Sequence, residues 1–384
     1  MEQIGIRCTF MRGGTSKGMF FRWEDLPEDD GDRDHFLCAA IGSPDPYGRQ
    51  LDGMGGGISS LSKAMFVRRS CRENVDIDYL FAQIVVDKPE VDYASNCGNL
   101  SAAVGAFAVD QGLVQFPDGP AKVRMFNENT AKRIDCNLTL RDGRAAIIGD
   151  QDIAGVTGTG APIRLDFHEP GGARTGSLLP VEVNGIRSAR ASTDVIGSMP
   201  IEFSFVDAAN PCVFVAASDL GLTGTEMPAE IAANAEVMSR LEEIRQFAGR
   251  YMPGVQDEET GQFSIPESAP KIAIVGPPAS SRTLSGETQN AEECDVQVRM
   301  ISMGKPHLAI PLTGAMCTAV AARIPGTTVA DAARAVGDSQ PLRIGTPSGV
   351  VPAMSEVTPE PRAISASVYR TARTLMEGTV YAAI

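Results

Sequence analysis

Positive charge is in short supply in this 384-residue chain: 34 Lys and Arg stand against 48 Asp and Glu, a formal net charge of −14. Nucleic-acid backbones and anionic membrane surfaces both reward clustered Lys and Arg, so neither is expected as a partner. Histidine is scarcer still. His35, His168 and His307 share no metal-ligand spacing, which argues against a His/Cys zinc site. No apolar run reaches 18 residues, and the stretch from Met1 to Ile6 lacks the basic and apolar regions of a signal peptide. A cytoplasmic location is expected. The eight cysteines are scattered and form no C-x-x-C pair, so in a reducing compartment they are expected as free thiols. What remains is ordinary globular composition, 43% hydrophobic and 21% charged, on a chain long enough for two domains.

Within that frame one stretch stands out, Asn96-Cys97-Gly98-Asn99-Leu100 and the apolar segment that follows to Val109. Leu100, Val104, Phe107 and Ala108 fall at helical spacing and the positions between them are mostly Ala, Ser or Gly, which predicts a helix that can be enclosed on all sides. Cys97 then stands at its mouth. Unpaired N–H groups and the positive dipole end favour a thiolate there, or a bound carboxylate. Lys63 closes a small, hydroxyl-rich stretch, Ser59-Ser60-Leu61-Ser62; if enclosed, such a lysine gives up its charge readily and acts as a base.

Upstream, Ile4 to Met11 and Met19 to Phe21 read as strands around the turn Arg12 to Gly18, with Thr15, Ser16 and Lys17 as donors for a carboxylate. The G-x-x-x-x-G-K-[ST] phosphate-loop spacing is absent there, and the Gly53–Gly57 run lacks the G-x-G-x-x-G dinucleotide spacing. The second half repeats the pattern. Ile201 to Val215 reads as strand, turn, strand, and His307 to Ile324 as strand, Thr313-Gly314, then a small-residue apolar helix with Met316, Val320 and Ile324 inward. The domain boundary is placed at Pro170–Gly176, giving domains 1–176 and 177–384, with a return of the last strands to the first domain left open. An amphipathic helix is expected over 228–249 and a short one over 329–336.

Each half thus brings a polar turn and a Gly-initiated buried helix, and the two mouths are expected to face one cleft. Lys63 and Cys97 are the best pair for moving a proton between two carbons of a planar acid, with Ser16, Gly98, Asn99, Thr313 and Gly314 holding carboxylates and an enolate-like anion. Such chemistry needs neither metal nor redox cofactor.

Met11–Gly18, Gly42–Gly48, Asp52–Gly56, Ser59–Lys63, Asp78–Phe81 and Asn96–Gly105 together resemble the PrpF family. That family comprises 2-methylaconitate cis-trans isomerase, 3-methylitaconate isomerase and 4-oxalomesaconate tautomerase. The resemblance implies a diaminopimelate-epimerase-like α/β fold, two similar domains each with a curled sheet around a central helix and the site between them. It implies cofactor-independent proton transfer on unsaturated di- and tricarboxylates, with the catalytic lysine at Lys63 and the cysteine at Cys97. Thr15, Ser16, Lys17, Ser62, Gly98, Asn99, Lys305, Thr313, Gly314 and Met316 are the expected substrate contacts. Met316 stands directly after Thr313-Gly314-Ala315, where an epimerase-type second cysteine is expected, with Cys317 one residue on; two-cysteine racemisation is therefore disfavoured. Lys305 and His307 stand where the substrate's side group would be read. The leading expectation is a methylaconitate- or aconitate-type isomerase, and the alternatives are an oxalomesaconate-type tautomerase, a methylitaconate isomerase, or a non-catalytic tricarboxylate-binding accessory protein. A homodimer is left open.

Overall fold

The computed structural model describes residues 3–93, 96–153, 155–193, 200–337 and 340–383. From the N-terminus come β1 (Gln3–Gly13), β2 (Ser16–Arg22), α1 (Asp30–Ile41), β3 (Lys63–Arg69), β4 (Ile77–Ile84), β5 (Val91–Asp92) and α2 (Gly98–Asp110). After them stand β6 (Gly119–Asn127), β7 (Lys132–Arg141), β8 (Arg144–Ala145), β9 (Gln151–Ile153), β10 (Val156–Gly160) and β11 (Ile163–His168). The next stretch carries β12 (Glu182–Val183), β13 (Ile186–Arg187), β14 (Ala191–Thr193), β15 (Ile201–Ala208), β16 (Asn210–Ala216), α3 (Pro228–Ala233) and α4 (Ala235–Gly249). Then follow β17 (Lys271–Gly276), β18 (Ser281–Arg282), β19 (Thr288–Gln289), β20 (Val296–Ser302), β21 (Lys305–Pro306), α5 (Leu312–Ala321) and α6 (Thr328–Ala332). The last strands are β22 (Leu342–Thr346), β23 (Gly349–Val357), β24 (Ala363–Arg370) and β25 (Ala372–Ala383).

By internal contact the chain divides into two units, Met1–Asp166 with Tyr369–Ile384, and Phe167–Val368. The division falls ahead of the Pro170–Gly176 loop. β25 rejoins the first unit because it pairs with β1 from Gln3↔Ala383 to Gly13↔Ala372.

In the first unit the strand order is β25–β1–β2–β3–β4–β6–β7–β8, and the pairings run antiparallel, antiparallel, parallel, antiparallel, parallel, antiparallel, antiparallel. In the second unit the order β14–β15–β16–β17–β20–β22–β23–β24 runs through the same succession. The two halves therefore share one topology. In the first, α2 packs against β25, β1, β2 and β3 near one end of the order and against β7 and β8 at the other, so the sheet curls around the helix. α5 takes the same place in the second, against β15, β16 and β23.

The composition of α2 explains why it can be wrapped. Every residue from Leu100 to Val109 is buried, and Gly105 leaves room for the facing strand: a Cβ there would stand 2.6 Å from Cys136 Sγ. Each large apolar side chain buried this way is worth about 1.5–3 kcal/mol. α5 is buried from end to end as well. The helix expected over 228–249 is instead two, broken at Asn234, which ends α3 and caps α4 with Oδ1 accepting from Val237 N–H at 3.1 Å. α6 ends at Ala332, short of the expected 336, and the segment expected as a strand from His307 is irregular over 307–311, the strand before α5 being the short β21.

Candidate active site

Strand alternation sorts the residues of the first unit onto two faces. Met19, Phe21, Ala64, Phe66, Ala82 and Ile84 pack together with α1 in one apolar cluster. Their neighbours Ser16, Gly18, Phe20, Lys63, Met65, Phe81 and Gln83 therefore face the other way, toward α2, as the 5.6 Å contact between the Phe20 and Phe107 rings confirms. Lys63 and the mouth of α2 thus share one side of β2. Between them lies Gly18, where a Cβ would stand 2.6 Å from Lys63 O and 3.0 Å from Leu100 Cδ1.

Lys63 is 8% exposed. Its Nζ donates to Gln83 Oε1 at 2.5 Å and lies 4.8 Å from the centroid of the Phe81 ring. Gln83 is oriented for this because its Nε2 donates to the carbonyls of Ser59 and Ser62, at 3.1 and 2.9 Å. Among the described residues no carboxylate pairs with the ammonium. A buried cation without a counter-ion is costly, and here Gln83 Oε1 and the Phe81 ring face supply what compensation it has.

Cys97 is the N-cap residue of α2 and is nearly enclosed. The first helical bond runs from Ser101 N–H to Cys97 O at 3.0 Å, which leaves the N–H groups of Gly98, Asn99 and Leu100 without partners in the helix. The thiol stands 3.9 Å from Ser16 Oγ. Thr15, at the tip of the β1–β2 hairpin, accepts from Asn99 Nδ2 at 3.1 Å. The hairpin can approach this closely because it carries glycines: a Cβ on Gly13 would stand 2.5 Å from Asn99 O, and Gly14 adopts φ +50° against the Asn99 side chain. Below the mouth lies a buried relay. Asn127 Nδ2 donates to Tyr79 OH at 2.9 Å, Tyr79 OH meets Ser101 Oγ at 2.9 Å, and Ser101 Oγ donates to Cys97 O at 3.1 Å.

Six expected residues therefore come together in the first unit: Lys63, Cys97, Thr15, Ser16, Gly98 and Asn99. Two do not. Lys17 alternates onto the opposite face of β2, with Nζ 5.9 Å from the Phe10 ring centroid. Ser62 is fully buried and its Oγ is taken up by Gln50 Oε1 and Ile58 O, at 2.6 and 2.9 Å; it anchors the segment that delivers Lys63.

In the second unit Thr313 and Gly314 occupy the first turn of α5, where a Cβ on Gly314 would stand 2.5 Å from Met300 Sδ. Met316 has no exposed surface and packs in the core. Lys305 is exposed beside the tight turn at Met303 and Gly304, whose φ values are 53° and 67°. His307 Nδ1 accepts from Ala309 N–H at 3.0 Å, and burial pushes its imidazole below the ordinary value. The expected place of a second cysteine is corrected by the shared topology. The N-cap position held by Cys97 in α2 is held by Pro311 in α5. Cys317 lies further along, fully buried with Sγ 3.3 Å from Val206 O, its thiol pushed well up by burial.

A family model described as PrpF protein matches residues 3–383. The chain belongs to the PrpF family. It is 40% identical over 401 residues to a 2-methyl-aconitate isomerase of Shewanella oneidensis, covering 98% of this chain and 97% of that protein. To a 3-methylitaconate isomerase of Eubacterium barkeri it is 39% identical over 383 residues, covering 99% and 98%. The crystal structure of a methylitaconate-delta-isomerase superposes with a TM-score of 0.85 at 38% identity, covering 100% of this chain and 96% of that one. At 13% identity and a TM-score of 0.52, a hydroxyproline epimerase from Agrobacterium vitis shares the fold alone, over 98% of this chain and 92% of that one. This PrpF protein is an isomerase with the diaminopimelate-epimerase-like fold. No helix among its described residues is long and apolar enough to cross a membrane.

Sequence reasoning missed two residues of this PrpF site. Gln83 sits in an apolar strand, and its only signal is the period-2 alternation that puts it opposite Lys63. Arg370 is separated from Asn99 by 271 positions, yet its Nε donates to Asn99 Oδ1 at 3.1 Å; no local pattern announces that.

Proposed function

We propose that the protein moves a proton, and with it a double bond, within an unsaturated di- or tricarboxylate of the 2-methylaconitate or aconitate type. Lys63 is the principal acid/base and Cys97 its partner. The neutral amine of Lys63 takes a proton from a carbon alpha or gamma to a carboxylate. The C–H electron pair spreads through the double bond into that carboxylate as a dienolate. A proton returned to the other end of the allylic system restores the acid with its double bond moved or re-formed. No atom is gained or lost. The developing negative charge meets the free N–H groups of Gly98 and Asn99 and the hydroxyls of Thr15 and Ser16, donors placed where charge accumulates.

The observation that carries this reading is the placing of Lys63, buried and without a carboxylate partner, on the same face of β2 as the Cys97 helix mouth. Proton NMR in D₂O tests it, with cis- and trans-aconitate, 2-methylaconitate, methylitaconate and 4-oxalomesaconate offered separately. Deuterium at an allylic carbon together with a new double-bond isomer is the expected result. Lys63→Ala should cut turnover by about 10²–10⁴-fold, the usual contribution of a positioned acid/base, while the fold is retained. Full activity in that variant would overturn the assignment.

A second reading is supported by the near-equal identity, 39% against 40%, to a relative named 3-methylitaconate isomerase. It uses the same residues and differs in which carbon is reprotonated, so the same spectra separate the two.

A further inference from the structure

Arg370 is a cation in the wrong place for a structural residue. It is 6% exposed, and burial holds its guanidinium down to about 10. Two of the other buried arginines meet a carboxylate, Arg33 with Asp30 at 2.5 Å and Arg245 with both oxygens of Glu242 at 2.7 Å, and Arg299, whose Nη2 is likewise unpaired, still donates to four acceptors, the carbonyls of Glu226, Val298 and Gly345 and Gln297 Oε1. Arg370 has two acceptors, Asn99 Oδ1 at 3.1 Å and its own neighbour Tyr369 O at 2.8 Å. A guanidinium offers five N–H groups in a planar fork. Among the described residues Nη2 has no hydrogen-bond partner and no carboxylate pairs with the group.

Of its two acceptors, Asn99 tells where Arg370 points. Asn99 is the second residue of α2, and its amide is fixed from both sides, Oδ1 by Arg370 and Nδ2 by Thr15 Oγ1 at 3.1 Å. The guanidinium therefore lies against the helix mouth, where three backbone N–H groups are also unpaired. Gly14 makes the room for it: a Cβ there would stand 3.0 Å from Arg370 Cδ. A helix N-terminus and an uncompensated guanidinium meeting at one place are both complementary to an anion, and the fork geometry selects a planar one.

We propose that Arg370 binds one carboxylate of the substrate at the mouth of α2, a carboxylate distinct from the one that receives the dienolate charge, and so makes a polycarboxylate, rather than any unsaturated acid, the substrate. This rests on the isomerase reading above. The buried charge is left unpaired in the free enzyme and is paired when the substrate arrives, so the second carboxylate contributes to binding more than to the proton transfer.

The test uses a ligand that cannot react, propane-1,2,3-tricarboxylate, and its dicarboxylate analogue glutarate, which lacks the central group. Binding to the wild type, Arg370→Gln and Arg370→Lys is measured by calorimetry, alongside turnover of the best acid from the NMR panel. The wild type should bind the tricarboxylate 10- to 100-fold more tightly than glutarate, the usual worth of a charge-assisted bidentate contact. Arg370→Gln should lose that discrimination and raise KM more than it lowers kcat. Arg370→Lys, which keeps the charge but not the fork, should restore part of it, and it stands in if the glutamine version does not fold. Equal weakening of both ligands in the variants would mark Arg370 as a clamp for Asn99 and overturn the inference while leaving the isomerase intact. A wild type that neither binds these anions nor exchanges deuterium would instead sink the isomerase reading itself.

Discussion

Tyr79→Phe is the sharpest probe of how the first unit holds its helix mouth, because it deletes one oxygen from an otherwise unchanged core. Asn127 Nδ2 donates to Tyr79 OH, and Ser101 Oγ spends its proton on Cys97 O. The Tyr79 hydroxyl proton must therefore go to Ser101 Oγ, and the relay has one direction, Asn127 to Tyr79 to Ser101 to Cys97. All four are buried, and burial raises the Tyr79 phenol above its ordinary value, so it stays a donor throughout the neutral range. Removing it strands the Asn127 amide N–H in the core, at a cost of about 1–3 kcal/mol. In a domain of 150–250 residues each kcal/mol moves Tm by about 2–4 °C, so calorimetry should record a loss of about 2–12 °C. Ser101→Ala should cost a similar amount by stranding the Tyr79 hydroxyl. The double variant should cost less than the sum, with a coupling of about 0.5–3 kcal/mol, since it removes both members of the pair. Amide exchange in the first turn of α2 should speed up in all three. Additive losses, or a Tyr79→Phe change within about 0.5 kcal/mol as for a neutral surface substitution, would refute the relay.

Two further outcomes follow from the face assignment and from the charge pairs. Ser16→Ala, on the α2 side of β2, should lower kcat/KM by about tenfold, the worth of one lost hydrogen bond to a charged group, whereas Lys17→Ala on the opposite face should stay within about twofold; steady-state kinetics with the two reversed would show that the strand is read in the wrong register. Burial alone would raise the Asp295 carboxyl, but Arg343 outweighs it, with Nη2 at 2.6 Å, Nε at 3.1 Å and its backbone N–H at 2.9 Å, and holds it below the ordinary value. A depressed native pKa stabilises the fold above the unfolded value of about 3.9 and the benefit fades as pH falls through the native one. Asp295→Asn should therefore be less stable at neutral pH and show a flatter loss below about pH 4; an unchanged acid profile in thermal melts would remove Asp295 from the account.

How much of this could be read in advance depended on how local the signal was. The helix after Cys97 was legible because its burial on every side is written in small and apolar residues at helical spacing, and the Thr15–Ser16 turn because the glycines beside it mark close approach. Lys63 was visible only as a lysine in a hydroxyl-rich stretch; its enclosure comes from Phe81 and Gln83, twenty positions away and brought alongside by β-pairing. Lys17 reads as a turn residue, but by Ser16 the hairpin is already strand, and from there alternation sends every second residue to the other face. Met316 reads as a site residue by its place in a motif, although a helix wrapped by its sheet hides most of its residues. Arg370 had no local signal at all.

The repeated topology explains why the chemistry should sit in one unit and not in both. β2 and β16 each open the return strand of a hairpin, and their third residues, Gly18 and Cys212, each lie beside the first residue of the next parallel strand, Lys63 and Lys271. The lysine is thus repeated, but its surroundings are not. In the first unit the glycine lets the helix mouth approach the lysine closely, a Cβ there standing 2.6 Å from Lys63 O and 3.0 Å from Leu100 Cδ1, and the N-cap residue is a cysteine. In the second the same position carries the Cys212 side chain, Lys271 Nζ is drawn off to Ser268 O at 3.1 Å, and the N-cap residue is Pro311, which has neither an acidic group nor an N–H. One copy of the fold sets strand and helix mouth close together over a glycine, and the other spends the same position on a side chain. The lysine is repeated, but only in the first copy does it share a strand face with a helix mouth capped by a thiol.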